Sequence, residues 1–257
     1  MKKVILITGG SQGLGRALSE RLSESGFVVY SGSRSGVIRN NGLYPRMVKL
    51  DITSDADCAG AVKKIISEEG SLDILINNAA LSLAGRTEDY TVSEYLRLLD
   101  TNTVGAFRLI KEALPQMRNQ KGGHIINITS LNGRVALPNF GLYSSSKFAL
   151  EALGLVLHNE LKRYGIQVTN IAPGAISNPN EDIKKLPHKT LRERFWLVKK
   201  LMPMVTYEDI FMTVKGIIRD PNPPAQIVLG SDTRLVTFLQ RFLPQLFWDK
   251  LLLSLWK

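Results

Sequence analysis

A tyrosine and a lysine four positions apart are the residues of this sequence whose types and spacing best suit chemistry. Tyr143 and Lys147 flank three consecutive serines, and Ser130 lies thirteen residues before the tyrosine. On a helix, residues four apart lie on one face, about one turn from each other. Because an ammonium beside a phenol favours the phenolate, we expect the pKa of Tyr143 to fall below its reference value of about 10. The spacing predicts Tyr143 as an acid or base for an alcohol or carbonyl oxygen that Ser130 also hydrogen-bonds; the alternative is an exposed, serine-rich helix start.

A glycine-rich turn near the N-terminus predicts a phosphate cradle. Residues 4–7 form a continuous apolar run, typical of a strand buried on both faces of a parallel sheet. Residues 8–15 read Thr-Gly-Gly-Ser-Gln-Gly-Leu-Gly and precede a helical segment that stops at Gly26. Glycines let the backbone approach a pyrophosphate, and the helix end supplies N–H donors and partial positive charge. The alternative is a tight turn without a ligand.

The end of the second predicted strand bears on cofactor choice. Residues 28–30 are apolar and lead to Ser33 and Arg34. Selection of an unphosphorylated dinucleotide usually places Asp or Glu here, for the ribose 2′-hydroxyl. No acid is present, and Arg34 is available to pair with a 2′-phosphate. The alternative is a solvated surface arginine.

Strands alternate with helices along the chain. This pattern predicts an α/β fold with a single doubly wound parallel sheet of Rossmann type, flanked by helices on both faces. The expected strands are residues 4–7, 28–30, 47–50, 72–76, 123–129, 166–172 and 225–229, and the expected helices are 16–25, 54–69, 91–119 as one helix or two, 140–164 and 208–219. Asn102 is unfavourable inside a helix, which indicates either a functional role or a solvent-facing position.

The amino-acid composition limits the class of protein to which the chain can belong. The chain has 257 residues, 44% of them hydrophobic and 22% charged, as is ordinary for a folded domain. A single cysteine, Cys58, excludes an internal disulfide, and the three histidines show no metal-ligand spacing. We expect no signal peptide, no membrane-spanning helix and no metal. The net charge of +10 favours a polyanion: a phosphorylated cofactor, an anionic membrane surface or nucleic acid.

Several short motifs, in this order and spacing, resemble the short-chain dehydrogenase/reductase family over residues 4 to about 230. They are residues 8–15, Asp51, Asn77-Asn78-Ala79, Asn102, Ser130, Tyr143, Lys147 and Pro173-Gly174. The resemblance implies a Rossmann-type oxidoreductase with a nicotinamide cofactor. Because regulatory homologues often lose the tyrosine or the lysine, the presence of both favours catalysis.

The resemblance also implies a role for each catalytic residue. Tyr143 exchanges the alcohol proton, and Lys147 lowers the pKa of Tyr143 and holds the nicotinamide ribose. Ser130 orients the substrate carbonyl. Asn102 keeps a water that relays protons. The residues expected to bind the cofactor are Gly9, Ser11, Gln12, Gly13, Leu14, Gly15, Ser33, Arg34, Asp51, Ile52, Asn78, Ala79, Tyr143, Lys147, Pro173, Gly174 and Ile176.

Two positions depart from the family pattern. Asn178 stands where a threonine is often found, so Asn178 or Ser177 is expected to contact the carboxamide. Gln12 stands where many NADP-preferring relatives carry a basic residue, whereas Arg34 favours NADP. Residues 175–200 are polar and basic and are interpreted as a mobile flap over the site. The expected cofactor is NADP, used as NADPH.

The C-terminal residues form a basic, apolar extension. We divide the chain into a catalytic domain, 1–232, and an amphipathic helical extension, 233–257, which Pro244 should kink or divide. The extension either packs on its own subunit or on a homodimer partner, or lies on an anionic membrane. Family members with similar tails tend to use steroid, retinoid or sphingoid-base substrates.

The leading hypothesis is an NADP-dependent oxidoreductase acting on a secondary alcohol/ketone pair with a lipid-like substrate. The alternatives are a 3-oxoacyl-thioester reductase of fatty-acid type and a non-catalytic NADP-binding sensor or scaffold. We expect a cytoplasmic homo-oligomer, with peripheral membrane contact through the tail as an open alternative. No basic–aromatic module for nucleic acid is visible, so no nucleic-acid partner is expected.

Overall fold

One parallel sheet organises the computed structural model of the protein, which describes residues 2–35, 45–177 and 204–256. In this part of the chain the strands are β1 Val4–Thr8, β2 Val28–Ser33, β3 Arg46–Lys49, β4 Ile74–Asn77, β5 Gly123–Ile128, β6 Ile166–Pro173 and β7 Gln226–Leu229. Their order in the sheet is β3-β2-β1-β4-β5-β6-β7, and every neighbouring pair is parallel. This is the predicted doubly wound Rossmann-type sheet, which is therefore confirmed.

Helices cover both faces of the sheet. They are α1 Gly13–Glu24, α2 Asp55–Glu69, α3 Val92–Leu99, α4 Gly105–Asn119, α5 Gly141–Leu161, α6 Tyr207–Arg219, α7 Ser231–Phe242 and α8 Gln245–Trp256. Short 3-10 turns occupy Thr87–Asp89, Leu131–Gly133 and Lys162–Tyr164. The two faces carry separate apolar cores: Leu6 of β1 packs with α2 and α4, whereas Ile5 and Ile7 pack with α1 and α6. The unbroken apolar sequence of β1 follows from this two-sided burial.

Helix boundaries follow local signals that the sequence carries. Ser54 caps α2 as predicted, because its side chain accepts a hydrogen bond from the Asp57 N–H at 3.2 Å. Thr91 and Glu94 form a capping box at the start of α3. The segment predicted as one helix or two is two helices, α3 and α4, joined by a π-helical turn, Asp100–Val104.

The last two helices lie on either side of Pro244. α7 ends at Phe242 and α8 begins at Gln245, so the proline divides the segment. The division of the chain after residue 232 stays a prediction. None of the helices in the described ranges combines the length and the apolar character needed to cross a bilayer.

Candidate active site

The carboxyl end of β1 and the start of α1 form the predicted cradle. Gly9 and Gly13 adopt φ of 68° and 54°, a region that glycine enters without a steric penalty. At Gly15 a Cβ would lie 2.3 Å from the Gly9 carbonyl oxygen, so only glycine lets the helix approach the strand this closely. The three glycines therefore fix a backbone shape that a dinucleotide phosphate can approach.

Within the described ranges, no side chain caps the N-terminus of α1. Gln12 is the N-cap residue and makes no side-chain capping bond, and the first turn contains no acid. Ser11 and Gln12 are exposed, and Leu14 is half-buried. A helix of twelve residues with this N-terminus offers N–H donors and partial positive charge to a phosphate. The residues present therefore fit the pyrophosphate of a nicotinamide dinucleotide.

Thr8 joins the cradle to the loop after β4. Its Oγ1 accepts hydrogen bonds from the Asn78 and Ala79 N–H groups, both at 2.9 Å. The Asn78 side chain donates in return to the Thr8 carbonyl at 2.8 Å. These bonds hold two of the expected cofactor-binding segments against each other. The sequence analysis included Thr8 in the motif of residues 8–15 but assigned it no role in the site.

The part of the site that is expected to bind the adenine end of the cofactor lies at the carboxyl ends of β2 and β3. Ser33 is buried, and Arg34 is exposed in the turn that follows. The Asp51 carboxylate accepts bonds from the Thr53 N–H at 3.0 Å and the Thr53 hydroxyl at 2.7 Å. Both bonds lower the pKa of Asp51, and the bond from the Thr53 backbone has the larger effect. The positive charge of Arg34 lowers it further. Ile52 is buried against the position of Gly105.

Ser130, Tyr143 and Lys147 converge beside the end of β5. Ser130 lies two residues after the last residue of β5, and its side chain accepts a bond from the Asn132 N–H at 3.1 Å. It also lies close enough to the Tyr143 side chain, on the first turn of α5, to lower the pKa of the phenol by hydrogen bonding. Lys147 lies one turn further along α5, with its Nζ 5.9 Å from the centre of the tyrosine ring. A carbonyl oxygen placed between the two hydroxyl groups would receive two hydrogen bonds.

The pKa of Tyr143 differs from the sequence-based expectation. Burial raises it, and the hydrogen bond with Ser130 lowers it by less. The Lys147 ammonium does not donate to the phenol; it donates to the Ile128 carbonyl at 2.9 Å. Burial lowers the pKa of Lys147 to about 8, partly opposed by the negative charge of Glu151. The expectation that the pKa of Tyr143 falls is therefore wrong for this structure, because burial raises it by more than the hydrogen bond with Ser130 lowers it.

Asn102 lies inside the π-helical turn and is 1% exposed, so the solvent-facing alternative is wrong. Its Oδ1 accepts from the Leu81 N–H at 2.7 Å, and its Nδ2 donates to the Leu81 carbonyl at 2.9 Å and to Ser146 Oγ at 3.0 Å. Thr103 adds a bond to the Ser146 carbonyl at 2.9 Å. The turn thus ties the loop after β4 to the residue that precedes Lys147.

A buried carboxylate on α5 was missed by sequence reasoning. Glu151 lies one turn after Lys147 and is 4% exposed. Its Oε1 accepts from Arg134 at 3.2 Å and from Gln226 at 2.7 Å, while its Oε2 has no hydrogen-bond partner among the residues that the structure describes. Glu151 therefore connects the segment after Ser130 with α5 and β7. Its contacts are distant in sequence, so no local signal indicated them.

Three asparagines form a ladder across the sheet below the site. Asn77 donates to Asn127, and Asn127 donates to Asn170, each at 2.9 Å. Asn170 then donates to the Glu151 carbonyl at 2.8 Å. A Cβ on Gly154 of α5 would lie 2.0 Å from Asn170 Oδ1, so α5 rests directly on the ladder. The ladder fixes the height of the catalytic helix above the strands.

An aspartate from the C-terminal region holds the loop after β6. Asp232 is buried, and its carboxylate accepts from the Ala175 N–H at 2.8 Å. A Cβ on Gly174 would lie 2.1 Å from that carboxylate, so glycine is required beside Pro173. Ile176 pairs with Val205 in an isolated bridge. Asn178 and most of the expected flap lie outside the described residues.

Comparisons with known proteins agree with this geometry. The family model described as short chain dehydrogenase matches residues 3–185. A 3-ketodihydrosphingosine reductase from Bacteroides thetaiotaomicron is 38% identical over 188 residues, 73% of this chain and 69% of that protein. A short-chain dehydrogenase from Streptomyces avermitilis gives a TM-score of 0.80 at 25% identity, covering 94% of this chain and 93% of its own. ElxO with NADP bound gives a TM-score of 0.72 at 26% identity, covering 89% of this chain and 96% of its own.

The family match spans well over half of the chain, and it includes the cradle, Ser130, Tyr143 and Lys147. The sheet order and the flanking helices are those of a Rossmann-type enzyme of this kind. The chain therefore belongs to the short-chain dehydrogenase/reductase family and is an oxidoreductase of that family.

Proposed function

We propose that the protein is an NADP-dependent oxidoreductase that acts on a secondary alcohol/ketone pair of a lipid-like substrate. The observation that carries the proposal is the placement of Ser130 beside Tyr143, with Lys147 one turn away, at the sheet edge that holds the glycine cradle. Open parallel sheets bind ligands at this edge. A bound nicotinamide supplies the hydride chemistry, and the protein supplies position and proton transfer.

Ser130 and Tyr143 act on the substrate oxygen. Both hydroxyl groups donate to a ketone placed between them, which orients the carbonyl and stabilises negative charge as it develops on oxygen. Tyr143 then gives its proton to that oxygen. Because burial raises the pKa of Tyr143, the phenol is protonated at neutral pH, as a reductase requires. The protonated phenol is therefore able to donate to the oxygen of a ketone.

Lys147 and Asn102 support the proton donor from behind. The Lys147 ammonium is held by the Ile128 carbonyl and lies near the Tyr143 ring. Its positive charge can therefore stabilise the negative charge that the phenol acquires when it gives up its proton. Both amide N–H donors of Asn102 are used, on Leu81 and Ser146. We therefore assign Asn102 the role of fixing the π turn beside α5; the proton-relay water stays an expectation from the family.

NADP is favoured by the charge at the end of β2. Arg34 is exposed where a 2′-phosphate would approach, and no acid stands at that strand end. ElxO, a structural neighbour, has been solved with NADP bound. A cytoplasmic location is part of the proposal, because NADPH and the reduced thiol of buried Cys58 both suit that compartment.

The proposed substrate class is suggested by the name of one relative, 3-ketodihydrosphingosine reductase. We propose a long-chain ketone of the sphingoid type as the substrate, ahead of keto-steroids and retinal. The apolar helices α7 and α8 beside the site support a substrate with a hydrocarbon tail.

The test is NADPH oxidation by the full chain with 3-ketosphinganine, a keto-steroid, retinal and a 3-oxoacyl thioester. We expect turnover of 3-ketosphinganine that Tyr143→Phe abolishes while NADPH affinity stays within a few-fold, because the ring and Lys147 remain. Tyr164→Phe, far along the same helix region, is the matched control and should retain activity.

Other outcomes distinguish the alternatives. Preferred turnover of the 3-oxoacyl thioester would assign the fatty-acid type of reductase. NADPH binding without turnover of any ketone would support a sensor or scaffold. Turnover that survives Tyr143→Phe would remove the tyrosine from acid/base chemistry.

A further inference from the structure

The two C-terminal helices expose a concentrated apolar surface. Six large apolar side chains of α7 and α8 are between 43% and 65% exposed. We call this surface the tail face; it consists of Leu235, Phe238 and Phe242 on α7 and Leu246, Phe247 and Leu253 on α8. Phe238 and Phe242 lie side by side, with ring centres 4.7 Å apart. Contiguous apolar surface of this kind marks an interaction site in a folded protein.

Both helices also contain buried residues. Trp248 of α8 is 5% exposed, and Asp232 and Thr233 at the start of α7 are buried. The start of α7 contacts the end of the sheet at β7. Each helix thus combines buried residues with the exposed residues of the tail face.

Basic side chains alternate with the apolar ones. Arg234 precedes Leu235, and Arg241 lies 5.9 Å from the centre of the Phe242 ring. Lys250 is exposed on α8 between Leu246 and Leu253, at helical spacing from both. The exposed acid Asp249 is hydrogen-bonded to Gln245 at 2.8 Å. Apolar and aromatic residues flanked by arginine and lysine are the pattern of a helix that lies in a membrane interface.

The charge of the tail face distinguishes between two possible occupants, a lipid surface and a second copy of the chain. In a two-fold dimer the same face packs on itself, which would bring a basic surface against a basic surface. An anionic bilayer offers complementary charge, and each basic residue near it contributes about 1 kcal/mol. The excess of positive charge over the whole chain, +10, acts in the same direction. The charges of the tail face therefore favour anionic lipid.

The helix pair begins at the edge of the active site. Asp232, in the first turn of α7, bonds to the Ala175 N–H in the loop that follows Pro173 and Gly174. The helix that carries the first part of the tail face thus starts next to the loop that the family places over the nicotinamide. A protein bound through this face would hold its site close to the bilayer.

We propose that the tail face docks on an anionic lipid bilayer, so that an apolar substrate dissolved in the membrane enters the site directly. Docking itself does not depend on the reaction; delivery of substrate rests on the proposed function. In the absence of a spanning helix among the described residues, the binding is peripheral and reversible.

The first experiment measures flotation of the full chain with phosphatidylcholine vesicles, with and without phosphatidylglycerol. We expect binding only with the anionic lipid, and weaker binding at high salt, because the screening length falls to about 3 Å at 1 M. Phe242→Ser with Phe247→Ser should lower partitioning by about tenfold or more, since two large apolar groups are lost. Met212→Ser, an exposed apolar residue on α6, is the matched control and should bind normally.

A second variant tests the charge. Arg241→Glu with Lys250→Glu should lower binding to anionic vesicles by about tenfold or more, without changing binding to neutral vesicles. Lys63→Glu, on the exposed side of α2, is its control. These substitutions keep Asp232, whose removal by truncation would disturb the site loop.

The third measurement separates docking from delivery. The Phe242/Phe247 variant should turn over a short, water-soluble ketone normally and a vesicle-dissolved ketone much more slowly. If docking holds but no ketone is reduced, the proposed function fails and docking stands. The docking proposal is overturned if the wild type ignores anionic vesicles, if the variants float as well as the controls, or if they only dissociate an oligomer, which would make the tail face a subunit interface.

Discussion

Lys147 has a buried side chain, so its pKa differs between the folded and the unfolded protein. Burial lowers its pKa to about 8, against 10.5 for the ordinary side chain. Between these two pH values the unfolded chain binds more protons at this residue than the folded one, so stability rises with pH. Below about pH 8 the full penalty of burying the charge is present, and above about pH 10.5 it is gone.

Replacement of Lys147 should therefore have a pH-dependent effect on stability. Relative to Lys147→Met, the wild type should gain roughly 2–3 kcal/mol between pH 7 and pH 10, because each pKa unit corresponds to about 1.4 kcal/mol. Urea unfolding of both proteins across this range measures the difference, with Lys63→Met on exposed α2 as the control. Parallel curves for wild type and Lys147→Met would mean that the lysine is not perturbed.

Arg34 is expected to select the cofactor through its charge. A hydrogen bond to a charged group is worth about 1.5–3 kcal/mol, so Arg34→Ala should weaken NADPH binding about ten- to a hundredfold. NADH binding should scarcely change. Fluorescence titration of both cofactors tests this, with Arg163→Ala as a remote surface control. An equal loss for NADPH and NADH would make Arg34 a structural residue.

Sequence and structure differ most for residues whose partners are far away in the chain. Tyr143, Lys147 and Ser130 could be singled out because their types and spacing are local features. Asp232 and Glu151 could not, since each acts through contacts with segments more than fifteen residues away. The direction of the Tyr143 pKa shift was wrong for a related reason: burial depends on the packing of the whole site.

At the level of elements, the helix between β4 and β5 shows what pattern alone leaves undecided. Its apolar periodicity was compatible with one helix or two, because a π turn inserts a single extra residue without breaking the chain of hydrogen bonds. Asn102, a residue that is unfavourable inside an α-helix, was the sequence signal of the irregular turn at this place. Its three hydrogen bonds, to Leu81 and Ser146, supply the reason.

The contact between α5 and the asparagine ladder predicts an unusual result for a glycine-to-alanine change. Gly154→Ala should destabilise the protein by about 1–3 kcal/mol, as overpacking does, because Asn170 is held by two hydrogen bonds and cannot easily move. Gly60→Ala on α2 meets nothing within 4 Å and should stabilise by about 0.5–1 kcal/mol through helix propensity. Denaturant unfolding of both variants tests the pair; a stabilised Gly154→Ala would show that the ladder adjusts.

At the scale of the whole molecule, a second apolar surface is distinct from the tail face. It comprises exposed side chains on α3, the π turn, α4 and α5: Val92, Leu96, Val104, Phe107, Phe148 and Val156. The helices concerned are neighbours, so the surface is continuous enough for a subunit contact. We expect this surface to join copies of the chain into a homo-oligomer.

A charge placed on that surface should separate the subunits. Val156→Glu is expected to shift the mass measured by sedimentation equilibrium toward the monomer, because a buried unpaired carboxylate is costly. Met212→Glu on α6 places the same charge on another exposed apolar residue and should leave the mass unchanged. A wild type that is monomeric at all concentrations would refute the expectation.

The strand order also sets a sequence of events during synthesis. After β1, the strands β2 and β3 extend the sheet on one side, and β4 to β7 extend it on the other side in chain order. The glycine cradle and the Asn78–Ala79 loop are complete within the first third of the chain, whereas α5 and Asp232 emerge later. Because the chain is synthesised from its N-terminus, the segments expected to bind the nucleotide leave the ribosome before the elements that carry Tyr143, Lys147 and Asp232.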